Sequence, residues 1–188
     1  MGLDAVRLEG PRVVVRTTTL EDAPSIVAYF ERNRGHLEPW EPGREAAFYT
    51  EAFWAARIRN YDEERVRGTA HRFCIATDQV IGLISMMSII ARAPVWNARV
   101  GYSLDKAHEG QGIMSEALGL VIRYAWGELG LRRLLAGYVP HNERSARVLE
   151  RAGFVREGYH REFLYVGGKW EDHIETSLVN TAWRLPTA

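Results

Sequence analysis

The segment Gly101–Leu118 constrains the fold most strongly, because it predicts a strand, a glycine-containing turn and a helix in direct succession. Gly110 and Gly112 allow backbone dihedral angles that side chains disfavour, and they let a ligand approach the backbone closely. The helix that follows begins with unpaired N–H groups at the positive end of its dipole. This arrangement is typical of an anion site and indicates a phosphate-bearing ligand.

The turn by itself does not identify the ligand, since many strand-to-helix loops contain two glycines and bind nothing. It differs from the Gly-x-Gly-x-x-Gly fingerprint of dinucleotide-binding folds. It also lacks the Lys-Ser/Thr ending of a P-loop. We therefore expect a phosphate ligand other than NAD or ATP.

Hydrophobic patterning predicts the element order β-α-α-β-β-β-α-β-α-β-β. A run of antiparallel strands followed by a βαβ unit favours an α+β fold. We expect a mixed, mostly antiparallel sheet of about seven strands with helices on both faces. The chain is expected to form a single domain over residues 1–188, with its core at about 12–179.

The first helix is expected to end near Asn33, before Gly35. The second is expected to run from Arg44 to about Val66. Between them, the segment 37–42 contains two prolines and is expected to be neither helix nor central strand.

The charge balance argues against a mainly electrostatic grip on nucleic acid, because 24 basic side chains face 24 acidic ones. No apolar run is long enough to span a bilayer, and the N-terminus lacks the features of a signal peptide. The single cysteine, Cys74, excludes an intramolecular disulfide and is expected to be a packed, inert thiol. We therefore predict a cytoplasmic protein that binds neither nucleic acid nor membranes.

A second motif, Asn-x-x-Ser-x-x-x-Leu-x-x-x-Gly-Phe, occupies residues 142–154. Together with the glycine turn, it resembles the GNAT acetyltransferases. The segments 33–42, 138–142 and 168–173 resemble the RimJ/RimL branch of that superfamily, which comprises ribosomal-protein N-terminal alanine or serine acetyltransferases. The resemblance extends over almost the whole chain, from residue 12 to about 178, and the expected element order suits the GNAT fold.

The resemblance implies acetyl-CoA as the donor. Its pantetheine arm would lie between two strands that end near Leu104 and Val139, and its pyrophosphate would bind the amides at the helix start. The residues implied for the cofactor are Tyr102, Ser103, Leu104, Gln111, Gly112, Ile113, Met114, Ser115, Asn142 and Ser145. We expect no metal ion, because the six histidines lack ligand spacing such as His-Glu-x-x-His, and surface or capping positions are expected for them.

Two residues depart from the superfamily's turn, which usually begins with Arg or Gln and ends with Gly or Ala. This chain has Glu109 and Met114 in those places. Since phosphate is held mainly by backbone N–H groups, we expect binding to survive, slightly weakened by the acidic Glu109.

The implied chemistry is direct attack of an amine on the thioester, which needs a neutral amine, a polarised carbonyl and a route for the proton. Ser145 matches a serine that can protonate the departing thiolate. The RimL-like branch has a glutamate proposed as base on the strand after Gly-Phe, where this chain has Leu164. Glu162 lies two residues earlier, on the same face of an ideal strand, and is the candidate base.

The acceptor site is expected to contain Glu38, Trp40, Glu41 and Tyr138. The two glutamates are rivals of Glu162 for the role of base, or could recognise the amine. Other interpretations stay open: Trp40 could be a lid or a core plug, and Tyr138 could simply be packed. Asn142 and Ser145 would stabilise a helix start without any ligand.

The expected acceptor is the N-terminal α-amine of a protein, ribosomal by resemblance, and an α-amine titrates near neutrality, so a mild base suffices. Two alternatives stay open. One is acetylation of a small amine such as a polyamine, an amino acid or an antibiotic. The other is a CoA-binding sensor or scaffold without turnover. A homodimer is also left open.

Overall fold

A central sheet organises the computed structural model, which describes residues 2–185. Within those residues eight strands pair in the order β1-β2-β3-β4-β5-β6-β8-β7. All neighbours are antiparallel except β5 and β6, which run parallel. The strands are β1 (Arg7–Glu9), β2 (Val14–Thr17), β3 (His71–Ala76), β4 (Val80–Arg92), β5 (Val95–Leu104), β6 (Arg133–Tyr138), β7 (Val155–Val166) and β8 (Lys169–Val179).

Helices cover both faces of this sheet. Those in residues 2–185 are α1 (Ala23–Arg32), α2 (Arg34–Leu37), α3 (Glu51–Val66), α4 (Ile113–Gly127) and α5 (Glu143–Arg151). On one face, Leu118 of α4 and Leu149 of α5 are buried with Val100 and Leu134 of the sheet. On the other face, α1 and α3 pack against β3 and β4 in a second apolar cluster. None of the helices in residues 2–185 has both the length and the apolar character needed to cross a bilayer.

The α+β class and the mixed, mostly antiparallel sheet are confirmed, with one more strand than expected. The additional strand is β1, which precedes the predicted core at 12–179 and pairs Leu8 with Val15 of β2. Three residues are too few for an alternating pattern to stand out, so only the pairing with β2 identifies this strand.

The first helix ends next to Asn33, as expected, but the role of Gly35 and the start of the second long helix are predicted wrongly. Gly35 does not stop the helix but lies inside α2, and residues 38–40 form a 3-10 turn although Pro39 is among them. A proline is tolerated in a first turn because its missing N–H would have no partner there. The next long helix begins at Glu51 rather than Arg44, with Thr50 accepting a hydrogen bond as its N-cap.

Cys74 lies fully buried between the sheet and α1, as the sequence predicts. Burial raises the pKa of its thiol to about 12. The thiol therefore stays protonated at neutral pH and is a packing group.

Candidate active site

The parallel strands β5 and β6 pair only over residues 97–99 and 133–135 and then separate. Between their carboxyl ends lies a cleft of about 640 Å³, lined by residues 100–104 of β5 and 136–139 beyond the pairing on β6. Backbone groups along the separated edges have lost their strand partners. An extended chain of amides can therefore hydrogen-bond between the two edges as an added strand.

The glycine turn and the first turn of α4 form one end of this cleft. Gly110 and Gly112 have φ values of 73° and 76°, in the left-handed region that favours glycine. Gly112 is the N-cap of α4, so the free amides of the next residues lie at the positive end of a 15-residue helix. This end of the cleft is built to receive an anion.

Arg12, far away in sequence, fixes the shape of the turn. Its Nη1 donates to the carbonyl of Gln111 at 2.5 Å, and its Nε donates to Glu116 Oε2 at 2.6 Å. Burial raises the pKa of Glu116, but hydrogen bonds from Arg12 outweigh this and hold it below its usual value. The turn is therefore organised before any ligand arrives, which reduces the entropy cost of binding.

Replacing Gly112 with Ala should raise the Kd for acetyl-CoA about tenfold more than replacing Gly110 with Ala, since both changes strain a left-handed backbone by roughly 1–2 kcal/mol but only the change at Gly112 disturbs Arg12. An added Cβ would also lie 3.2 Å from Arg12 Nη2 and disturb the hydrogen bond to Gln111. Gly110→Ala is the matched control, because its φ is similar but nothing lies within 4 Å of the added carbon. Calorimetric titration of both variants with acetyl-CoA measures the difference. Equal affinities would show that the link through Arg12 does not shape the site.

The two unusual residues of the turn have local explanations. Glu109 lies in the cleft wall, where Arg144 Nη1 approaches it at 3.3 Å and His36 Nε2 at 3.4 Å. The Arg144 guanidinium offsets the negative charge near the anion site. Met114 is only 5 % exposed and packs into the core under the sheet.

A pair of hydroxyl groups lies across the cleft from the turn. Asn142 caps α5 by accepting a hydrogen bond from the Ser145 amide at 3.1 Å. This cap places Ser145 Oγ 3.0 Å from the hydroxyl of Tyr102 on β5. Burial raises the pKa of Tyr102 to about 12, so its hydroxyl stays protonated at neutral pH. Together the two hydroxyls can supply a proton to an anion formed in the cleft.

Most of the site residues expected from the sequence meet in this cleft, although their binding roles remain predictions. Those that line it are Trp40, Glu41, Tyr102, Ser103, Leu104, Gly112, Ile113, Met114, Ser115, Tyr138, Asn142 and Ser145. Asn142 also caps α5, which is the alternative role that requires no ligand. Trp40 is half-buried, with its ring centroid 5.3 Å from that of His141, so it forms part of the wall and not a core plug.

Two expected residues face away from the cleft. The Gln111 side chain folds back to donate from Nε2 to the Ala107 carbonyl at 2.9 Å. Glu38 is exposed on the 3-10 turn, outside the lining of the cleft. Its neighbour Glu41, which does line the cleft, is ion-paired with Arg44.

The expected position of Glu162 is wrong. The pairing of β7 with β8 shifts register between His160 and Leu164, so simple alternation along the strand fails. Glu162 sits in this bulge with φ 46°, and its amide donates to Asp172 Oδ1 at 2.7 Å. Its side chain is exposed and does not line the cleft.

The expectation of surface or capping positions is also wrong for two of the histidines. His71 is fully buried, with Nε2 2.8 Å from Thr17 Oγ1, and burial lowers its pKa to about 4. His173 is 7 % exposed and lines the cleft from β8. One sequence signal could have identified His173. It lies in the run 171–175, in which alternate residues are titratable and share one face of the strand.

Comparisons with known proteins agree with this geometry. The family model for the acetyltransferase (GNAT) domain matches residues 12–155. The ribosomal protein uS5-alanine N-acetyltransferase of Escherichia coli strain K12 is 35% identical over 181 residues, covering 95% of this chain and 93% of that protein.

Two solved structures extend the likeness to three dimensions. The ribosomal-protein-S5-alanine acetyltransferase from Vibrio fischeri has a TM-score of 0.91 and 40% identity, over 96% of this chain and 100% of that one. The RimJ protein of Mycobacterium smegmatis, solved with CoA-disulfide, has a TM-score of 0.88 and 26% identity, over 98% and 90% of the two chains.

Proposed function

Since the chain belongs to the GNAT acetyltransferase family and is an acetyl-CoA-dependent N-acetyltransferase, we propose that its acceptor is the N-terminal α-amine of a ribosomal protein. The observation that carries this proposal is the open cleft between β5 and β6, which joins the anion site at α4 to the hydroxyls of Tyr102 and Ser145. Two full-length relatives act, by name, on the alanine of ribosomal protein S5.

The residues of the cleft fit two distinct parts of CoA, the pyrophosphate and the amide arm. The amides at the start of α4 suit the pyrophosphate, and Arg144 compensates the negative charge of Glu109 beside them. The separated edges of β5 and β6 suit the amide arm. When bound, acetyl-CoA supplies an acyl thioester that an amine can attack.

The chain's own groups then assist the transfer. As the amine nitrogen bonds to the acyl carbon, the carbon–sulfur bond breaks and its electron pair stays on sulfur. Ser145 Oγ would donate the proton that converts the thiolate to a thiol and would regain one from the Tyr102 hydroxyl, which in turn takes a proton from water. The products are an N-acetyl amide and a free thiol.

An acceptor panel tests the proposal. The protein is incubated with acetyl-CoA and either peptides that begin with Ala or Ser, the same peptides with acetylated N-termini, or small amines such as polyamines and amino acids. Thiol release and product mass are measured. We expect acetylation of the free α-amine of Ala- or Ser-starting peptides only. Activity restricted to small amines, or tight CoA binding without thiol release, would contradict the proposed acceptor.

The remaining expectations follow from this function. We propose that residues 1–188 act as one catalytic domain, since the strands of residues 2–185 form a single sheet. We also propose a cytoplasmic location, where newly made ribosomal proteins are available as acceptors. A homodimer stays a prediction.

A further inference from the structure

One face of β8 carries a row of titratable residues toward the end of the cleft that is proposed to hold the acceptor amine. Alternate residues of a strand share a face, so Glu171, His173 and Glu175 lie on one side of β8. The residues between them lie on the other side, where Ile174 is paired with Tyr138. Ser145 and Tyr102 therefore approach the gap between β5 and β6 from one face of the sheet, and the β8 row approaches it from the other.

His173 is the member of this row that lines the cleft. Its Nδ1 lies 3.2 Å from the carbonyl oxygen of Glu171. A carbonyl oxygen can only accept, so this hydrogen bond requires the proton on Nδ1. In the neutral ring, Nε2 then carries the free lone pair and can accept a proton.

A carboxylate on the same face of β8 as His173 is available to a positive charge. Glu175 Oε1 accepts from Arg99 Nη2 at 2.6 Å, while its Oε2 is buried and has no hydrogen-bond partner among residues 2–185. That oxygen would lie 3.5 Å from a Cβ at Gly137, a residue of the cleft wall. A buried carboxylate oxygen that accepts no hydrogen bond is a suitable partner for a positive charge that arrives with a substrate.

Further titratable groups share this end of the cleft or the adjoining strands. Glu171 Oε1 is 2.9 Å from Lys169 Nζ and 4.0 Å from His141 Nε2. His160 is the cross-strand partner of His173, with Nε2 4.0 Å from Glu175 Oε2. The complete set around the ring is Glu41, Tyr138, His141, His160, Glu171 and Glu175.

We propose that Nε2 of His173 is the general base for the acceptor amine, an inference that rests on the proposed function. The neutral α-amine attacks the acyl carbon, and the nitrogen, now positively charged, loses one proton to Nε2. His173 thus becomes an imidazolium on the face of β8 that also carries Glu175, and it later releases the proton to water. The proton for sulfur comes separately from Ser145, so the acid and the base lie on opposite faces of the sheet.

Replacing His173 with Asn tests this role, because the Asn amide nitrogen can keep the hydrogen bond to the Glu171 carbonyl but offers no base. We expect kcat to fall by about 10²-fold, the lower end for general base catalysis. In the wild type, log(kcat/KM) should rise with a limiting slope of 2 at low pH, since both amine and imidazole must lose a proton. In the variant the slope should be 1, and the Kd for acetyl-CoA should be unchanged.

His160→Asn is the matched control, because His160 lies across from His173 on β7 but does not line the cleft. It should keep the slope of 2 and a kcat close to that of the wild type. A slope of 2 and a near-normal kcat in the His173 variant would overturn the proposal. The profiles are recorded on whichever amine the wild type acetylates best, so an error in the acceptor class does not affect the comparison.

Nitrogen-15 spectra of the histidine rings give a second readout that needs no turnover. Above the titration of the ring, His173 should show a protonated Nδ1 and an unprotonated Nε2, with its signals identified by their loss in the His173→Asn spectrum. An Nε2-protonated ring would overturn the proposal even if peptide acetylation is confirmed. The expected tautomer would support it even if the acceptor proves to be a small amine.

Discussion

Replacing Ser145 with Ala is expected to lower kcat by about 10²-fold, within the range for loss of a general acid, while the Kd for acetyl-CoA changes little. The hydroxyl of Ser145 lies 3.0 Å from that of Tyr102, and the thiolate that needs its proton exists only after attack. An interaction made in the transition state and not in the ground state affects kcat more than binding. Removing it should therefore leave the cofactor bound and the reaction slow.

The measurement combines steady-state thiol release with calorimetric titration of acetyl-CoA. Tyr102→Phe should lower kcat to a similar degree, and the double variant should lose little more than either single one, because the two hydroxyls act as a unit. Ser25→Ala is the control, since its Oγ accepts a hydrogen bond from the Val80 amide outside the cleft. Normal turnover in the Ser145 variant would remove this residue from the chemistry.

The second large effect concerns stability at the end of β5. Asp105→Asn should lower the free energy of unfolding by about 2 kcal/mol, the scale for hydrogen bonds to a charged group, since Arg32 is left partly exposed. The Asp105 side chain is 7 % exposed, and its Oδ2 accepts from Arg32 Nε at 2.5 Å. Its Oδ1 accepts from the Ala107 amide at 3.0 Å and so caps the turn that leads into the glycine segment. An Asn amide would face the guanidinium with a donor in place of an acceptor.

The dependence on pH provides a sharper test. Burial raises the pKa of Asp105, but hydrogen bonds from Arg32, the Ala107 amide and Asn33, together with the Arg32 charge, outweigh it, so the folded-state pKa is below the usual value. A lowered folded pKa means that the stabilisation is complete above the unfolded value of about 3.9 and is lost as pH falls through the folded pKa. The difference between wild type and variant should thus be largest near neutrality and shrink below pH of about 4.

Urea unfolding at a series of pH values measures this difference. Glu9→Gln is a matched control, because it neutralises an ion pair with Arg7 whose side chains are 70% and 58% exposed. A surface pair of this kind is worth roughly 0–1 kcal/mol. A loss from Asp105→Asn as small as that, or one independent of pH, would show that the Arg32–Asp105 pair does not hold the end of β5.

The sequence was most informative where chemistry is local. The glycines of the turn and the cap at Asn142 each depend on a few neighbouring residues, and the structure forms them where the sequence predicts. Prediction failed where a register shift intervened. Alternation would place Glu162 on the same face of β7 as Leu164, but a bulge there breaks the alternation and leaves Glu162 exposed.

By itself, the sequence therefore determined the α+β class, the glycine turn and the two helix starts that line the cleft, because these follow from backbone rules over short spans. Tertiary structure decided what lies at the other end of the cleft. Only the pairing of β8 with β6 and β7 brings His173 and Glu175 to the gap beside Gly137. Only folding places Arg12 under a turn about a hundred residues away. Contacts between distant segments depend on strand register and packing, which no local pattern encodes.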